Sequence, residues 1–293
     1  MNNENLIKEI KILQDKIEEI NNKVNLLLPN QKNSAAYYLT LEDLRNPLWP
    51  EAVDPSMICD AASEEDKFER ANSVLDLYIE ENIKNKKFLD FGCGEGHIAI
   101  AADDNKASYS LGYDIKDTFC PSLKEKNPES FTTDWSVVEK NGPYDIILMY
   151  DVFDHLENES EVDVFNKIKE VLSPQGKLYV RMHPWTSRHG GHLYNECNKA
   201  FLHIALLENE LEEFLGKKPN QIKVNKHFFP LRKYRDTIAK TEFKIITENV
   251  VSQDLESTIR DSQVLEKIKR DYKFLDKPTF QLGLNFIDYI LGK

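Results

Sequence analysis

Asp90-Phe91-Gly92-Cys93-Gly94-Glu95-Gly96 links a short apolar run, Phe88-Leu89-Asp90-Phe91, to a helix-forming stretch that opens near His97. Glycines in alternate positions let the backbone turn sharply from strand to helix and approach a ligand, because no Cβ obstructs either. The next apolar run, Tyr109-Ser110-Leu111-Gly112-Tyr113, ends at Asp114. That places a carboxylate roughly 20 residues after the glycines, where it can accept hydrogen bonds from both hydroxyls of a ribose. A glycine triplet alone is a weak signal. Strand, turn, helix, strand and terminal Asp in this order form a strong one.

Outward from this unit the alternation continues. Residues 64–84 carry an acidic first turn and then Phe68, Ala71, Val74, Leu75, Leu77, Tyr78 and Ile79, a helical pattern. Residues 144–150 are a nearly continuous apolar run after Gly142-Pro143, as a central parallel strand requires. Residues 161–172 are amphipathic and stop at Ser173-Pro174, and strands are predicted at 177–182, 243–251 and 282–289. Such alternation predicts a doubly wound α/β sheet with ligands at the carboxyl ends of its strands. A helix is predicted over residues 195–216 from Phe201, Ile204, Ala205, Leu207, Leu211 and Phe214, as part of an insertion covering the pocket.

The glycine spacing bears on the ligand. A nicotinamide site uses Gly-x-Gly-x-x-Gly with a pyrophosphate on the helix N-terminus. Here the pattern is Gly-x-Gly-x-Gly, preceded by a carboxylate that would repel a pyrophosphate. The motif resembles motif I of class I S-adenosylmethionine-dependent methyltransferases, whose cofactor is a phosphate-free sulfonium with an amino-acid tail. The resemblance runs from Phe88 to Tyr289. It implies a Rossmann-like seven-stranded sheet with its last strand antiparallel, and S-adenosyl-L-methionine as cofactor. It also implies that Asp90, Gly92, Gly94, Gly96, Asp114, Ile115, Asp134, Trp135 and Tyr150 bind that cofactor. Asp114 matches the family's ribose-binding acid, and Asp134-Trp135 the position that holds adenine. Leu172-Ser173-Pro174-Gln175-Gly176-Lys177-Leu178 matches the turn before its fifth strand.

On the acceptor side, the chain reads Tyr150-Asp151-Val152-Phe153 rather than the Asn/Asp-Pro-Pro-Tyr/Phe of amino methylation on DNA bases, and it has no Pro-Cys dipeptide for cytosine carbon-5 chemistry. The most distinctive segment is Arg181-Met182-His183-Pro184-Trp185-Thr186-Ser187-Arg188-His189-Gly190-Gly191-His192-Leu193-Tyr194. It is similar to a segment of phage-encoded methyltransferases. Bases near neutral pH, anion clamps and a stacking face are concentrated there. His183, His189 and Arg188 are the expected catalytic residues. His155, Trp185, His192 and Tyr194 are expected to bind the acceptor, His155 matching a histidine common in the family after the fourth strand. A histidine cluster could hold a metal, but related metal-dependent enzymes use oxygen ligands, so none is expected. The expected reaction moves a methyl to an oxygen or nitrogen of an unidentified acceptor. The alternatives are a non-catalytic, virion-associated subunit on the same fold and, more remotely, a nicotinamide oxidoreductase.

Before this domain, Leu6, Ile10, Leu13, Ile17, Ile20, Val24 and Leu27 alternate at spacings of four and three. This heptad seam predicts a coiled-coil helix over residues 1–30 that self-associates through residues 6–28, a dimer favoured and a trimer open. Residues 31–62 read as a linker or cap, and 63–293 as the methyltransferase domain with a helical acceptor-side insertion at about 183–235.

Hydrophobic residues at 41% of the 293 exclude wholesale disorder, and the net charge of −12 argues against an extended nucleic-acid footprint. Basic residues such as Lys217, Lys218, Lys223, Lys226, Arg232, Lys233 and Arg235 are interleaved with acids and read as solvated faces. No run approaches the ~18 apolar residues of a membrane span. The four cysteines are scattered without a Cys-x-x-Cys pair, and no signal peptide opens the chain. A cytoplasmic location, that of a phage protein in its host included, is expected.

Overall fold

In a computed structural model, residues 35–55, 63–156, 161–219, 230–273 and 275–293 are described. The heptad segment, residues 31–34 and 56–62 of the linker, and Lys223 and Lys226 lie outside these residues. The order of elements is α1 (Ala35–Arg45), α2 (Glu64–Tyr78), β1 (Lys87–Phe91), α3 (His97–Asp104), β2 (Tyr109–Tyr113), α4 (Pro121–Lys126), β3 (Phe131–Thr132), α5 (Trp135–Asn141) and β4 (Tyr144–Tyr150). A 3-10 turn, Phe153–His155, precedes α6 (Glu161–Val171) and β5 (Leu172–Met182). There follow α7 (Leu202–Ala205), α8 (Glu208–Leu215), α9 (Leu231–Lys240), β6 (Lys244–Ser252), α10 (Ser257–Arg260), α11 (Gln263–Asp271), α12 (Pro278–Leu282) and β7 (Leu284–Gly292).

The strands form one seven-stranded sheet in the order β3-β2-β1-β4-β5-β7-β6. From β3 to β5 neighbouring strands are parallel, and β7 runs antiparallel to both β5 and β6. Strand alternation divides β1 between the two faces. Leu89 and Phe91 enter one core with Phe165 and Ile168 of α6 and Tyr234 and Ile238 of α9. Phe88 enters the other with Ala71, Val74 and Leu75 of α2 and Ala101 and Ala102 of α3. Asp90 has the parity of Phe88, so its carboxylate emerges on the α2–α3 side, beneath the glycine turn. The doubly wound architecture expected from the sequence is the one observed.

Several boundaries differ. Helix α2 ends at Tyr78, short of 84, because Ile79 adopts an extended conformation. Strand β5 begins at Leu172 rather than 177, since Leu172 pairs with Tyr144 across a register shift. The helix expected over 195–216 is two helices, α7 and α8, divided at Leu206–Leu207, and Phe201 before them is left-handed at φ 65°. Helix α9 joins the sheet's own core through Leu231, Tyr234 and Ile238, so the insertion ends before it. A second core gathers Leu41, Leu44 and Trp49 with Trp185, Phe201, Ile204 and Leu211, and with Ile259, Leu265, Ile268 and Leu282. The cap segment, the insertion and the stretch before β7 therefore fold together. None of the described helices is long and apolar enough to cross a membrane.

Candidate active site

The glycine turn is shaped by space as much as by conformation. Gly92 sits at φ 78°, where a Cβ would come within 2.4 Å of Val152 Cγ2. Gly96 at φ 93° starts α3 in the left-handed region, and its Cβ would come 2.2 Å from the Phe131 ring. The turn is pinned to the second strand, because the Gly92 and Cys93 N–H groups both donate to the Tyr113 carbonyl. Gly94 N–H donates to Asp114 Oδ2 at 3.0 Å and Lys116 N–H to Asp114 Oδ1 at 3.1 Å, so both carboxylate oxygens are oriented in advance.

Two cavities meet at Gly92. The first, of about 370 Å³, is lined by Asp90, the glycine turn and Tyr150, with Lys67 and Arg70 of α2 at its side. The second, of about 410 Å³, is lined by Tyr113, Asp114, Ile115, Trp135, Asp151, Val152 and His155. Asp90 is buried, and its Oδ2 has no hydrogen-bond partner. Burial, reinforced by Asp114, raises its pKa to about 7. A buried, unpartnered carboxylate is costly unless a cationic group meets it. At the other end Ile115 is 76% exposed although apolar, beside Trp135, whose indole packs edge-on against Phe91 and Tyr113. The line runs from an anion with a cation opposite, through a diol-binding acid, to an apolar slot. That sequence fits the ammonium, carboxylate, ribose and adenine of S-adenosylmethionine.

Eight of the nine expected cofactor residues line these cavities. Asp134 does not; its exposed carboxylate caps α5 by accepting from Ser136 N–H at 2.9 Å, which holds its pKa below the ordinary value. Sequence reasoning missed Arg70. Its place one helix before the glycine turn, on the same helix as Lys67, was the available signal.

At the acceptor end, the groups come from the segments after β4 and β5. His183 Nδ1 lies 2.8 Å from the Asn285 carbonyl, and its Nε2 is 3.8 Å from Asp151 Oδ1. Asp151 is left-handed at φ 53°, and burial, opposed by His183, raises its carboxyl to about 6. The His189 ring packs 4.5 Å from that of His183; burial and then His183 depress its pKa to about 3. His189 is therefore a neutral neighbour and a poor base. The rings of His155 and His192 lie 4.7 Å apart, inclined at 38°, and Tyr194 flanks His192 at 6.1 Å. Burial opposes ionisation of Asp154, yet the imidazoles of His192 and His155 hold its carboxyl below the ordinary value.

Two expected acceptor-side residues are placed elsewhere. Trp185 is 4% exposed within the second core, edge-on to the His203 ring at 4.9 Å, and presents no stacking face. Arg188 donates to the Glu51 carbonyl at 3.1 Å and pairs with Glu256 at 2.9 Å, so it ties the cap to the α10 region instead of clamping an anion in the cleft.

Residues 63–248 match the family model described as a methyltransferase domain. The chain belongs to that family. This methyltransferase is an enzyme whose methyl donor is S-adenosyl-L-methionine, for which the two cavities provide a fitting set of groups. No curated protein matches it. Among solved structures it is similar to magnesium protoporphyrin IX methyltransferase (ChlM) from Synechocystis PCC 6803 with SAH bound, at 15% identity over 80% of this chain and 90% of that one, TM-score 0.44. It is also similar to the PH0226 protein from Pyrococcus horikoshii OT3, at 16% identity over 82% and 96%, TM-score 0.47. A third is the cyclopropane synthase MmaA2 from Mycobacterium tuberculosis, at 15% identity over 89% and 95%, TM-score 0.45. At these identities and TM-scores nothing is carried over from them to this chain.

Proposed function

We propose that the methyltransferase alkylates an oxygen or nitrogen of an acceptor seated where the segments after β4 and β5 meet, with His183 as the base. The observation that carries this reading is the fixed tautomer of His183. A carbonyl can only accept, so the contact to Asn285 assigns a proton to Nδ1, and in the neutral ring this leaves the lone pair on Nε2, 3.8 Å from Asp151 Oδ1. Bound S-adenosylmethionine supplies an electrophilic methyl on a sulfonium. His183 Nε2 takes the proton that the acceptor loses, and the Asp151 carboxylate faces the imidazolium so formed. Asp90 and Arg70 anchor the amino-acid tail, and Asp114 the ribose, which orients the donor against the acceptor. The chain further reads as a cytoplasmic, phage-type protein that self-associates through residues 6–28.

Labelled-methyl transfer into fractionated cell extract is the test. We expect label in one macromolecular or metabolite fraction, and a loss of ~10²–10⁴-fold on His183→Ala with the affinity for S-adenosylhomocysteine preserved. Undiminished transfer by His183→Ala would reject the base assignment.

A further inference from the structure

We infer that Asp154, His155 and His192 form a site for a divalent first-row transition-metal ion at the acceptor end of the cleft. Asp154 and His155 share the single turn after β4, and His192 comes from the segment after β5. Asp154 Oδ2 lies 3.6 Å from His155 Nε2 and 3.7 Å from His192 Nε2, and all three potential ligand atoms fall within 4.8 Å of one another. The 3.6 and 3.7 Å separations are those of ion pairs, with both imidazoles close enough to act on the Asp154 charge. These separations are also close to the ~3.3 Å between neighbouring ligands of a tetrahedral ion with bonds of about 2.0–2.1 Å.

Two further observations point to a cation. The Asp154 side chain is only 6% exposed, and its Oδ1 is buried without a hydrogen-bond partner, so the carboxylate has an unused acceptor directed into the protein. His192 holds a left-handed backbone at φ 53°, a strained conformation for a residue with a Cβ, and its imidazole is thereby brought beside Asp154.

Two imidazoles and one carboxylate suit zinc, manganese, iron(II) or cobalt, and are a poor set for calcium or magnesium, which take oxygen ligands. Three protein ligands leave coordination positions open, as in catalytic rather than structural sites. His155 lines the second cavity together with Asp151, the carboxylate that also neighbours His183 on the acceptor side. An acceptor oxygen bound at an open position of the ion would lose its proton more readily. This role rests on the acceptor reading above; the binding of the ion does not.

The test uses chelator-treated full-length protein titrated with Co²⁺ by absorption spectroscopy and with Zn²⁺ by calorimetry, no acceptor being needed. We expect one tight equivalent. His155→Ala and His192→Ala should each weaken it by more than the ~10–100-fold that outer-shell changes cost, and the Co²⁺ bands should shift. An unchanged circular dichroism spectrum and thermal unfolding transition show that each variant is folded, and Asp154→Asn gives a more conservative third reading. A second group, Glu64, His97 and Cys120, also has metal-binding composition, so Cys120→Ser is the comparison. The inference is overturned if no saturable binding occurs, if the ligand variants bind as the parent does, or if Cys120→Ser alone removes the equivalent. Should the ion fail to bind while S-adenosylhomocysteine binds, the metal site falls and the methyltransferase assignment stands.

Discussion

Asp90 couples cofactor binding to pH. In the ligand-free enzyme its carboxyl titrates at about 7, against an ordinary 3.8, because burial and Asp114 disfavour the charge. Between these two values the folded chain holds a proton that the unfolded chain has lost. Asp90 therefore makes the ligand-free protein less stable as pH rises through that window. A ligand with an ammonium group reverses the preference, since it binds the carboxylate form and expels the proton. The affinity for S-adenosylhomocysteine should therefore climb with pH by up to ~10-fold per unit below about 7 and level off above it. Calorimetry in buffers of different ionisation enthalpy would detect the released proton, and Asp90→Asn should abolish both the release and the slope. Gly92 makes a steric prediction. Its positive φ and the 2.4 Å approach to Val152, a short branched side chain with little freedom to retreat, mean that Gly92→Ala should cost ~1–3 kcal/mol. Chemical denaturation measures this cost, and a change below ~0.5 kcal/mol would show that the turn relaxes freely.

At the scale of elements, the sheet was legible because its central strands are buried on both faces and read as unbroken apolar runs between turn signals. The glycine turn was legible because its φ angles leave few residue types to choose from. The acceptor side was not. Its apolar residues belong to a second core assembled from residues 41–49, 185–211 and 255–282, and no local periodicity encodes a partner more than a hundred residues away. That is why Trp185 read as a stacking face, and why Phe201 to Phe214 read as one helix. The same core contains a charged tie that the sequence showed only as interleaved surface charge. Lys267 of α11 is 5% exposed and contacts Glu210 of α8 and Asp271, each at 3.0 Å. Removing the ammonium leaves Glu210 buried without its counter-ion, so Lys267→Met should lower stability by ~3–5 kcal/mol. The double variant Lys267→Met/Glu210→Gln should recover part of it, as equilibrium unfolding would show. Equal stability of the single variant and the parent would mean that solvent reaches the pair.

For the whole molecule, the question is what the N-terminal seam adds to a catalytic domain that already encloses its own cofactor cavities. Every residue lining those cavities lies between Lys67 and Lys167, and the family match begins only at residue 63. The heptad segment is thus separate from the donor site in sequence, and its alternating apolar positions have the spacing of a self-association seam. Each copy carries a net charge of −12, so association also works against long-range repulsion that salt screens. Removal of residues 1–30 should then convert an oligomer to a monomer in light scattering, while S-adenosylhomocysteine binds with unchanged affinity. The intact chain should associate more tightly in ~0.5 M salt than at low ionic strength, because the apolar seam is insensitive to screening and the repulsion is not. A monomeric full-length chain at micromolar concentration would refute the seam. A truncated chain that loses cofactor affinity would instead show that residues 1–30 reach the catalytic domain, and would identify them as part of its cap.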